Sequence, residues 1–202
     1  MNVIEKSLFS LIDEFIGSGG NLVSSEIKPL ADTELDRIEK TMGFRLNESL
    51  KTLLRWTGGD WSAFEDYPLH RVNFIPDFFV LNPDNVIHYH QVSRGTDNLG
   101  DKSLPKSLRA DADVNVPALS TGVDFMSLLA RGDSSGIVIK RNDHSVASEF
   151  WPSIDGYLDF TKKAWQMGIY RINEKEEGVD FDTDRLPSII PSSVVYFGGG
   201  GY

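Results

Sequence analysis

The sequence contains no cysteine. Disulfides, thiolate zinc sites and a cysteine nucleophile are excluded, and no mark of an oxidising compartment is left. No apolar run approaches the roughly 20 residues that a membrane helix needs. The opening MNVIEKSLFSLIDEF places Glu5, Asp13 and Glu14 among its apolar residues, so it has neither the basic lead nor the unbroken apolar stretch of a secretory signal. A cytoplasmic protein with no membrane partner is expected. Basic residues are also scarce, with 20 Lys and Arg against 30 Asp and Glu and a net charge of -10. Such a chain repels phosphate backbones at long range and draws in basic partners, so nucleic acid is not the expected ligand. The patterns HExxH, GxSxG and CxxC, a phosphate loop and a dinucleotide fingerprint are all missing.

Against these absences stands ordinary globular composition, 40% hydrophobic and 25% charged over 202 residues, enough to bury a sizeable core. Ile4, Leu8, Leu11, Ile12 and Phe15 recur at three- and four-residue spacings and predict a helix over 3–16, stopped by GSGG at 17–20. ADTELDRIEKTMGF predicts a second helix, with Asp32 or Thr33 as N-cap, Leu35, Ile38 and Met42 on one face, and Gly43 at its end. Asn47 is placed to cap a third, carrying Leu50, Leu53 and Leu54 and broken by Gly58 and Gly59.

From residue 69 the pattern changes to short apolar runs, LHRVNFI, DFFVLNP and NVIHYHQV, read as strands or short helical pieces between turns. Residues 93–115 are polar and predict a long surface loop. VPALSTG, FMSLLA and GIVIKR then read as three antiparallel strands joined by turns. SIDGYLDFTKKAWQMGIY predicts a closing helix capped by Ser153, with Ile154, Tyr157, Leu158, Phe160, Thr161 and Trp165 inward. Residues 171–202 read as an acidic linker followed by an apolar, glycine-rich tail, whose SSVVYF is able to add a strand to its own or a neighbouring sheet.

Chemistry candidates are few. GDSSG at 132–136, near His144, is a poor match to a serine-protease nucleophile loop and reads as a turn. His88 and His90 would share a face on a strand and reach one metal, with His70 or His144 needed to complete the site. DFDTD at 180–184 opens like a calcium loop, but Arg185 and Pro191 replace the glycine and glutamate that an EF-hand requires. GSGG lacks the GK[ST] ending of a phosphate loop and follows a helix rather than a strand.

Taken together, ADTELDRIEKTMGFRLNESLKTLLRWTGG resembles the N-terminal signature of the SUKH superfamily. The matching residues are Ile38, Glu39, Met42 and Gly43, then Leu46, then Leu50, Leu53 and Leu54, and finally Thr57, Gly58 and Gly59. Asn47 stands where the family often has proline, and Thr57 where it often has asparagine. VPALSTGVDFMSLLA, GIVIKRNDHSVASEF and IDGYLDFTKKAW resemble the family's later strands and closing helix, so the likeness covers about residues 30–168. It implies an α+β fold, a single SUKH-like domain over 1–170 whose mixed, mainly antiparallel sheet is flanked by helices. It also implies a non-catalytic immunity protein that binds and neutralises a cognate bacterial toxin, with no cofactor, metal or catalytic residue. The expected partner is a basic protein toxin and the expected state a monomer or weak homodimer. Asp60, Trp61, Glu65, Asp66 and Tyr67 combine acidity with the aromatics common in binding hot spots, and are the expected contact surface. Two alternatives stand beside this reading: a regulatory interaction module of the same fold, and a divalent-metal hydrolase using His88 and His90.

Overall fold

A computed structural model of the chain describes residues 3–21, 29–57, 74–76, 79–80, 83–95, 115–120, 125–129, 137–140, 149–176 and 178–196. Helix α1 (Val3–Gly17) is followed by α2 (Asp32–Met42) and α3 (Glu48–Thr57), then by strand β1 (Phe79–Val80) and helix α4 (Pro83–Gly95). Strands β2 (Asn115–Ser120), β3 (Phe125–Leu129), β4 (Ile137–Lys140) and β5 (Glu149–Trp151) lead to helix α5 (Ile154–Gln166). The hairpin β6 (Tyr170–Asn173) and β7 (Gly178–Phe181), a 3-10 turn at Leu186–Ser188 and strand β8 (Val195–Tyr196) follow. The architecture is α+β, as the sequence predicts.

One sheet runs β1-β2-β3-β4-β5-β8, and β6 pairs β7 separately. Every pairing among the described strands is antiparallel, where the family resemblance implies a mixed sheet. The register of β2 against β3 shifts between Pro117 and Leu119. Proline has no amide proton to give to a ladder, so a bulge is where a strand tolerates it.

Each helix is formed and ended by local chemistry. The predicted stripe of α1 is buried at all five positions. Gly43 ends α2 in the left-handed region, with φ 80°, and its N–H donates to the Glu39 carbonyl. The cap at the other end of α2 differs from expectation: Ala31 occupies it without a side-chain bond, because Asp32 already lies inside the helix and is engaged by Arg55. Ser153 caps α5 as predicted, its hydroxyl accepting from the Gly156 N–H at 3.0 Å.

The core gathers α1, α2, α3 and α5 around large side chains. Helix α1 packs on α5 and α3, and α5 also meets β5 and β6. Phe15 meets Trp165 edge-on at 5.2 Å, and Trp165 donates its indole N–H to the Phe74 carbonyl at 3.1 Å. Trp151, Tyr157, Phe160 and Tyr170 continue this aromatic seam, which ties β5, α5 and β6 together.

One region settles an alternative that the sequence leaves open, and another differs from expectation. NVIHYHQV lies within α4, where Pro83 starts the helix and Val86 and His90, four apart, both point inward. The stretch from 171, expected as a linker, carries the β6–β7 hairpin, and Leu186 and Ile189 join the core. SSVVYF does add a strand, β8, to the chain's own sheet. Most of the expected 93–115 loop, and the final glycines with Tyr202, lie outside the described residues.

Candidate interaction surface

The expected contact residues follow α3 in sequence, and α3 itself is held in place at its start. Asn47 accepts the Leu50 N–H at 2.8 Å and so caps α3, as predicted. Glu39, one turn before the end of α2, reaches the same junction. Its carboxylate accepts the Leu46 N–H at 2.8 Å and pairs with the Lys51 ammonium at 2.9 Å. One side chain thus fastens the end of α2, the linker and the first turn of α3.

Burial alone would raise the Glu39 pKa, but the bonds from Lys51 and the Leu46 N–H outweigh it and hold the carboxyl below the ordinary range. Lys51 moves the other way, raised chiefly by its bond to Glu39, against burial. Glu48 adds a second, longer contact to Lys51 at 3.6 Å.

Further ion pairs connect α3 and α4 to α2. Arg55 reaches Asp32 at 2.8 Å, while its carbonyl accepts the Leu30 N–H. Arg37 bridges Glu34 and Asp84, and the bond to Asp84, then that to Glu34, raises its pKa. The side chains of Asp32, Glu48 and Asp84 are 80%, 82% and 83% exposed, so carboxylates at the starts of α2, α3 and α4 face solvent while Arg37 and Arg55 are tethered. Sequence reasoning overlooked this charged frame, because no local pattern joins Asp32 to Arg55 or Arg37 to Asp84.

Asp60, Trp61, Glu65, Asp66 and Tyr67 themselves lie outside the described residues, as do His70, His144 and GDSSG. His88 and His90 are described, and α4 separates them. Two residues apart on a helix means about 200° of rotation, so His88 is exposed whereas His90 is 2% exposed, its ring 5.5 Å from Phe44 and edge-on to it. The shared face that a strand would give is lost. Among the described residues no group of three His, Cys, Asp or Glu side chains is placed to hold a metal ion.

Two of the three aspartates of DFDTD have local structural work. Asp180 accepts from the Asn173 amide, and Asp182 accepts the Arg185 N–H at the start of the 3-10 turn. Arg185 in turn donates to the Met167 carbonyl just past α5.

Among the described residues no helix is long and apolar enough to cross a membrane. No protein-family model matches the chain, and no curated protein matches it.

Proposed function

We propose that the chain is a SUKH-like immunity protein that binds a cognate bacterial toxin directly and blocks it without catalysis. The observation that carries the reading is the α2–α3 junction. The residues that resemble the family signature are those that build it: Ile38 and Met42 buried, Glu39 locked to Leu46 and Lys51, Gly43 left-handed, and Leu50, Leu53 and Leu54 in the core. A signature explained by one compact junction is stronger support than the same letters scattered along a chain.

The charge favours the same partner class. A net charge of -10, with exposed carboxylates on α2, α3 and α4, steers a cationic protein toward this surface. Asp60 and Trp61 follow α3 within a few residues in sequence, with Glu65, Asp66 and Tyr67 soon after, and these five residues are proposed as the contact. The toxin's own active site is basic if it acts on nucleic acid, which makes a nuclease the preferred cognate class.

The test is co-expression with a candidate cognate toxin, sought among neighbouring genes. Growth should be rescued, and Asp60→Lys together with Trp61→Ala should weaken the rescue while the chain still folds. A toxin that kills equally with and without the chain would refute the proposal.

A further inference from the structure

We draw no further inference here: the strongest candidate, the outer stripe of α1 on which Phe9 and Ile16 are 43% and 45% exposed beside Asp13, carries nothing because nothing in the structure shows what covers it.

Discussion

Glu39 joins two helices through one carboxylate, and its environment makes that junction sensitive to pH. Its side chain is 15% exposed and its pKa is depressed, because the bonds to Lys51 and Leu46 outweigh burial. Since the folded value lies below the unfolded one, the stabilisation is fully present above about pH 4.3 and is lost as pH falls through the folded value. Lys51 behaves oppositely: its contribution is full below about pH 10.4 and disappears as pH rises through its raised folded pKa. Glu39→Gln should therefore flatten the acid limb of a plot of unfolding free energy against pH and lower stability near neutrality by on the order of 1 kcal/mol. An acid limb identical to that of the unsubstituted chain would show that Glu39 does not hold the junction. Asn47 makes a second test nearby. Asn47→Ala removes the acceptor for the Leu50 N–H and should cost about 1 kcal/mol in urea unfolding, whereas Asn47→Asp, which keeps an acceptor, should cost much less.

At the scale of elements, the joint between α1 and α5 depends on a residue without a side chain. A methyl group on Gly20 would overlap the ring of Phe15, which is fully buried and packed edge-on against Trp165. The ring has nowhere to move, so Gly20→Ala should destabilise by about 1–3 kcal/mol, seen as a lower urea midpoint with an unchanged slope. Gly17→Ala is the control, since an added methyl there meets nothing within 4 Å beyond its chain neighbours and its own helix backbone. Elements whose apolar residues recur at helical spacing were legible in sequence: α1, α2, α3 and α5 bury the side chains their patterns select. The three central strands were legible from short apolar runs between turns. Helix α4 was ambiguous because one of its inward positions is His90, which reads as polar although it is buried. The β6–β7 hairpin was missed for a different reason. Tyr170 and Ile172, and Val179 and Phe181, do alternate with polar residues, but each run is only four residues long and the acidic residues between and after them resemble a linker.

For the whole molecule, fold class and acidity were both legible, whereas the charged frame around α3 was not. Pairs such as Asp32 with Arg55 exist only after the chain has folded, when α2 and α3 pack together. The exposed carboxylates of Asp32, Glu48 and Asp84 add to the chain's acidity. Electrostatic steering of a basic toxin then has a measurable signature: association should slow steeply as salt rises, while dissociation changes little. The most direct measurement is the association rate between the purified chain and the purified domain of a candidate cognate toxin, followed from low to physiological ionic strength. Direct neutralisation predicts a stable complex that survives gel filtration and forms at least about tenfold faster at low salt. No complex at any ionic strength, or a rate indifferent to salt, would contradict it.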